Sequence, residues 1–249
     1  MADQIIQSTL EDDTPFFRET EHFTFLSQTV VSDLLAGASL GRERQVRVWS
    51  AACSTGEEAY AIAIALSEGF SRRPVSTDAV TGTSDWSIQV IGTDTDLLML
   101  EKAREGIYSE LSLSDFPQDA KKRYFMRGRG NMAGKVRVKQ ILADMVRFQP
   151  VDLENEPWPV EGPFDAIFYR DALAGHTPAE QELILRGMLR RLHPHAYLIL
   201  GSAEHVPWLK DAVTPLGRGI HQLRPRRNMR YKGQERRSRS RQGLSSDSL

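Results

Sequence analysis

A turn of small residues and a strand-end acid carry the first chemical signal in this sequence. Trp49-Ser-Ala-Ala-Cys-Ser-Thr-Gly-Glu-Glu-Ala-Tyr60 reads as a strand that breaks into a tight turn and restarts as a helix. Small residues at such a junction let a ligand approach the backbone closely. A purely local reading also exists: Ser54 and Glu57 have the spacing of a capping box, with the small residues serving tight packing. The run lacks G-x-G-x-x-G spacing, so a nicotinamide dinucleotide site is weakly supported. Asp94 follows the next apolar run, 88–93. A carboxylate at a strand tip can accept hydrogen bonds from ribose hydroxyls. It also suits the cap of a helix over 95–104. Together the turn and the acid favour a ribose-bearing ligand.

The elements that position these residues follow from periodicity. Thr14 before Pro15 reads as a helix start, cap then first helical residue, and 21–37 reads as helix. Gln45–Ala51 alternates as a strand, and 57–70 is helical. A Ser/Thr/Pro/Gly-rich loop covers 71–87, and 88–93 and 97–104 are the next strand and helix. Residues 106–150 change character, with a Gly-rich turn at 127–134 and alternating runs at 135–140 and 145–149. They read as a helix plus a small antiparallel insert. Residues 164–169 and 196–201 are short buried strands flanking an amphipathic helix over 178–192. Strands alternating with helices imply an α/β fold, a parallel sheet with helices on both faces. Ligands of such sheets sit beyond the carboxyl ends of the strands. The loops after Ala51, Thr93, Gln149 and Tyr169 then surround one crevice.

Bulk properties narrow the setting. The 249 residues are 40% hydrophobic and 26% charged, an ordinary globular composition. No apolar run approaches the ~18–20 residues that span a bilayer, so no membrane insertion is expected. Residues 1–14 show neither a basic nor an apolar signal region. Cys53 is the single cysteine, which fits a reducing, cytoplasmic setting. Net charge is −1, yet residues 218–249 hold ten Arg/Lys against two acids. Residues 1–13 are expected to be loose, 14–223 to form the folded domain, and 224–249 to be a basic disordered tail.

The signature at 49–60 resembles the W-S-A-A-x-S-T-G-E-E-P-Y motif of the CheR chemotaxis receptor methyltransferases. The likeness continues along the chain. Thr14-Pro-Phe-Phe-Arg18 is similar to T-x-F-F-R, and Gly92-Thr-Asp94-Thr-Asp with Leu100-Glu-Lys-Ala103 to the second strand and helix. Phe148 with Asp152-Leu153 is similar to F-x-x-x-N-L, and Phe164-Asp-Ala-Ile-Phe-Tyr-Arg170-Asp171 to F-D-x-I-x-x-R-N. Gly201-Ser-Ala-Glu204 is similar to the family's G-x-S-E. The resemblance implies a Rossmann-like S-adenosylmethionine-dependent methyltransferase fold with a small β-subdomain, in a short form without the family's helical N-terminal domain. It implies S-adenosylmethionine as methyl donor, S-adenosylhomocysteine as product, and glutamates of a methyl-accepting chemoreceptor-like protein as acceptors. By matched position, cofactor contacts fall on Asp12, Thr14, Arg18, Glu58, Asp94, Asp152, Leu153, Arg170 and Asp171. Glu58 and Arg18 suit the amino-acid end of the cofactor, and Asp94 the ribose. Arg18 also suits the incoming carboxylate, through a bidentate contact. Its alternative is a surface ion pair with Glu19 or Glu21.

Several positions depart from the family pattern. R-N-x-x-I-Y-F becomes Arg170-Asp-Ala-Leu-Ala-Gly-His176, with Gly175 where the family has a tyrosine near the transferred methyl. Asp12, Asp152 and Asp171 each replace Asn, exchanging a donor-and-acceptor amide for an acceptor-only carboxylate. Pro194-His195-Ala196 replaces a P-G-G turn that asks for positive φ. A module that binds the cofactor or a protein partner without turnover is therefore an alternative to the enzyme. His193 and His195 lack further ligands at zinc spacing, so no metal is expected. Cys53 is read as a small buried thiol. The tail has one tyrosine and no aromatic interleaving, and it is weak support for nucleic-acid binding.

Overall fold

Val46 and Val48 are completely buried, as is Trp49 on the opposite face. Together they make β1 (Gln45–Ala51) an inner strand of a seven-stranded sheet. The computed structural model describes residues 16–72, 86–113 and 116–225. β2 (Ser87–Asp94) runs parallel to β1, with Ala51 opposite Thr93. On its other side β1 pairs in parallel with β7 (Phe164–Phe168), Ser50 opposite Phe168. β6 (Val146–Pro150) extends the sheet beyond β2, and β8 (Leu192–Ile199) extends it beyond β7, both in parallel. β9 (Val213–Gly217) and β10 (Ile220–Leu223) form a hairpin whose second strand lies antiparallel to β8. The order β6-β2-β1-β7-β8-β10-β9 reverses direction between β1 and β7. That reversal opens the crevice at the strand tips.

Helices cover both faces. One face carries α1 (Thr20–Phe25), a π-helical segment Leu26–Val30 and α2 (Val31–Ser39) in one run, with α3 (Glu57–Ser71). Their Phe23, Leu26, Ile62, Leu66 and Val31 bury against Val46, Val48 and Phe168. The other face receives α7 (Pro178–Arg190), whose Ile184, Leu185 and Met188 pack with Trp49, Ile167 and Tyr169. Thr177 and Glu180 form a capping box at its start, with Pro178 at the first turn. α4 (Leu97–Glu105) follows β2. A separate three-stranded antiparallel sheet holds β3 (Ile107–Ser109), β4 (Phe125–Arg127) and β5 (Lys135–Val138) in the order β3-β5-β4. Short helices α5 (Gln118–Tyr124) and α6 (Gln140–Ala143) flank it.

The structure corrects several boundaries. The first described helix starts at Thr20, and Phe16–Glu19 form a turn before it; Thr14 and Pro15 lie outside the described residues. The alternating run at 145–149, grouped above with the insert, is β6 of the main sheet, because its Phe148 backs onto the turn at Gly56. β8 begins at Leu192, directly after α7, rather than at 196. His195 within it has φ 66°, the positive value its turn position called for. The β9–β10 hairpin was not anticipated. Among the described residues no helix is long and apolar enough to cross a membrane.

Candidate functional site

The turn after β1 is built by backbone geometry. Gly56 caps α3 at φ 89°, a conformation that favours glycine. A Cβ there would lie 2.7 Å from Ala103 Cβ and 2.9 Å from Phe148 Cζ. Gly56 is thus small so that α4 and β6 can close on the turn. The Ser54–Glu57 capping box is absent: Glu57 Oε2 accepts from Thr55 Oγ1 at 2.6 Å, and Ser54 turns elsewhere. Cys53 is buried, and burial together with the nearby Asp94 and Glu58 carboxylates pushes its thiol far up, which disfavours the thiolate.

Ser54 donates its N–H to Asp94 Oδ2 at 2.8 Å, and Asp96 donates its own to Asp94 Oδ1 at 3.0 Å. The cap of α4 is Asp96, which accepts from Leu98 and Met99 N–H, so the helix-cap alternative for Asp94 falls to its neighbour. Asp94 instead ties the β1 turn to the β2 turn and stays half-buried at the tip. Trp49 Nε1 donating to Thr93 Oγ1 at 2.9 Å and Cys53 N donating to Thr93 O at 2.8 Å draw the two tips together.

Beyond the tip of β7 stands Arg170, its side chain 5% exposed. Its Nη1 faces Glu58 Oε2 at 3.3 Å, Nη2 lies 3.0 Å from Glu19 Oε2, and Nη2 also donates to the Arg18 carbonyl at 2.5 Å. Phe23 lies under the guanidinium at 5.6 Å from the ring centre. Glu58 accepts a further bond from Ser50 Oγ at 2.6 Å. Burial pushes the Glu58 carboxyl up, against the pull of Arg170 and Ser50. Burial acts the same way on Glu19, but the Ser202 N–H, at 2.7 Å, and Arg170 outweigh it and hold that carboxyl below its usual range. Arg170 is the hub that fastens the segment before α1 to the strand tips.

Arg18 is exposed, and its Nη2 lies 3.4 Å from Asp171 Oδ2. Its partner is therefore Asp171; Glu19 is taken by Arg170, and Glu21 by Arg218 at 2.7 Å. Asp171 adopts φ 58°, which Asp tolerates better than most residues. Glu204 accepts from Gly201 N at 2.7 Å and Leu173 N at 3.1 Å, pinning the loop after β7. After β6, Asp152 is exposed and accepts from Glu154 N and Asn155 Nδ2; those bonds hold its carboxyl below the usual range. Leu153 packs into the core with Trp158 and Leu173. His176 Nδ1 lies 3.3 Å from Glu154 Oε1, and among the described residues nothing beyond its chain neighbours lies within 4 Å of where a Gly175 Cβ would stand.

The tips of β1, β2 and β7 thus bring together Glu58, Asp94, Arg170, Asp171 and Arg18, with Asp152 and Leu153 on the loop after β6. Asp12 and Thr14 lie outside the described residues. The family described as CheR methyltransferase, SAM binding domain, matches residues 12–218.

The chain belongs to this CheR family.

Two relatives place it further. A chemotaxis protein methyltransferase of Escherichia coli (strain K12) is 38% identical across 88% of this chain and 69% of its own length. Chemotaxis protein methyltransferase 2 of Pseudomonas aeruginosa is 35% identical across 84% of this chain and 68% of its own. The cofactor of this CheR domain is S-adenosylmethionine. The donor set fits it: Glu58 is a half-buried carboxylate suited to a cationic ammonium, and Asp94, already bonded to two backbone amides, keeps lone pairs for ribose hydroxyls. Two residues of the assembly escaped the sequence reading of the site. Glu19 had been considered only as a surface partner of Arg18. Glu204 was noted in a motif without a role, and only its bonds to Gly201 and Leu173 reveal one.

Proposed function

We propose that this CheR domain methylates glutamate side chains of a chemoreceptor-like protein in the cytoplasm, with S-adenosylmethionine as donor. The observation that carries the proposal is the Arg170 hub, which sets the Arg18 backbone beside Glu58 and leaves the Arg18 guanidinium exposed at the rim. The names of the relatives, chemotaxis protein methyltransferases, supply the acceptor class.

When bound, the cofactor supplies a methyl group activated on a sulfonium. Glu58 would hold its ammonium and Asp94 its ribose, with Arg170 and Asp171 beside them. Asp152, Leu153, Asp12 and Thr14 would contribute by their matched positions. A glutamate acceptor is already ionised at neutral pH, so no residue has to remove a proton. Arg18 holds that carboxylate in line, and positioning with exclusion of water does the rest.

The test incubates the chain with methyl-labelled S-adenosylmethionine and a chemoreceptor cytoplasmic fragment. Label released by mild alkali, as a methyl ester is, and lost when acceptor glutamates become alanine, is the expected result. Absence of alkali-labile label on the receptor, with cofactor bound, overturns it. The open space at Gly175 favours a second reading, a domain that binds the cofactor without turnover. In that case calorimetry shows binding while no label transfers.

A further inference from the structure

The rim of the site holds an ion pair where the proposed reaction would seat the acceptor carboxylate. Arg18 and Asp171 lie 3.4 Å apart with 57% and 42% of their side chains exposed. Both backbones are fixed. The Arg18 carbonyl is held by Arg170, and Asp171 stands at φ 58° between Arg170 and a loop pinned by Glu204. The side chain that would receive an acceptor carboxylate therefore already faces a carboxylate of the chain itself. Two further acids, Asp152 and Glu154, are exposed on the neighbouring loop, where Glu154 pairs with His176.

We propose that Asp171 is an acceptor-selecting residue: it faces Arg18 where the substrate carboxylate would bind, so an entering glutamate competes with it. This rests on the glutamate-acceptor function proposed above. The Arg18–Asp171 pair is net neutral, so it offers an acidic segment no long-range attraction. A target glutamate flanked by further acids meets repulsion from Asp171, Asp152 and Glu154. One flanked by Lys or Arg brings a cation to the displaced Asp171 carboxylate. Selection by unfavourable charge is a common route to specificity.

Two synthetic peptides test this, identical except that one glutamate is flanked by lysines or by glutamates. Each carries a fluorescent label and is titrated into the chain saturated with S-adenosylhomocysteine, read by anisotropy, and each is assayed for methyl transfer. The wild type should prefer the lysine-flanked peptide by about tenfold in Kd and KM. Asp171→Asn and Asp171→Gly both suit positive φ, and each should cut that preference to about twofold. Each should also lower KM for the glutamate-flanked peptide more than it changes kcat. Asp171→Glu should keep the preference. A preference as large in Asp171→Asn and Asp171→Gly as in the wild type overturns the role of Asp171 alone. Failure of every form to bind or methylate either peptide overturns the glutamate-acceptor function, and the role of Asp171 with it.

Discussion

Arg170 Nη2 lies 3.0 Å from Glu19 Oε2, a contact that joins residues 151 apart in the chain. With Glu58 on its other edge, this buried guanidinium neutralises two carboxylates. Arg170→Ala removes the cation beside both, leaving only the Ser50 and Ser202 bonds, which should lower stability by about 3–5 kcal/mol. Arg170→Lys should rescue only part of the loss, since an ammonium cannot span Glu19, Glu58 and the Arg18 carbonyl as the planar fork does. Urea unfolding checks this, and a midpoint unchanged in Arg170→Ala contradicts it.

Gly56→Ala tests the turn. The new Cβ meets Ala103 and Phe148 well inside contact distance, at a φ of 89°. A loss of about 1–3 kcal/mol is expected, with weaker cofactor binding because Ser54 no longer presents its N–H to Asp94. A thermal midpoint equal to the wild type's would show that the helix and the strand are not closed against the turn.

Stability should decline on the acid side in two stages. Burial holds the His22 imidazole below its ordinary range, so the unfolded chain takes the proton first and stability falls as pH drops below about 6.5. The depressed carboxyl of Glu19 contributes stability above about pH 4.3 that is lost as pH falls through its lower folded value. Unfolding free energies at pH 7.5, 5.5 and 3 should fall in that order, and Glu19→Gln should flatten the last step. An unaltered slope between pH 5.5 and 3 in Glu19→Gln contradicts the assignment.

The core was legible at α7 because it buries one face, and at β1 and α3 because their apolar runs are buried on both sides. The alternation over 145–149 was legible as a strand, and the loop after Gln149 as one wall of the crevice, but the run itself read as part of the insert. Four or five alternating residues look alike in a small insert and at the edge of a large sheet, and only the pairing of Val90 with Val146 decides between them. The hairpin β9–β10 was missed because most of its residues are exposed or half-buried, leaving little apolar pattern. Within the site, Glu58 and Asp94 stood out through motif position. The partners of Arg18 and Arg170 did not, because ion pairs between distant segments leave no local periodic trace.

Gly175→Tyr should fold, since among the described residues nothing beyond its chain neighbours stands within 4 Å of the added Cβ. If orientation by an aromatic ring at this place is what the domain lacks, kcat should rise about tenfold or more, the equivalent of ~1.4 kcal/mol in the barrier. A kcat unchanged or lowered in a folded variant shows that the open position is no defect.

The strand tips are expected to hold the nucleoside between the Gly56 turn and Asp94. Calorimetric titration with S-adenosylhomocysteine, wild type against Asp94→Ala, addresses this directly. One site per chain is predicted, weakened about 10–100-fold in Asp94→Ala through loss of the ribose contact and of the Ser54 anchor. No heat of binding in the wild type, or equal affinity in the folded variant, contradicts it.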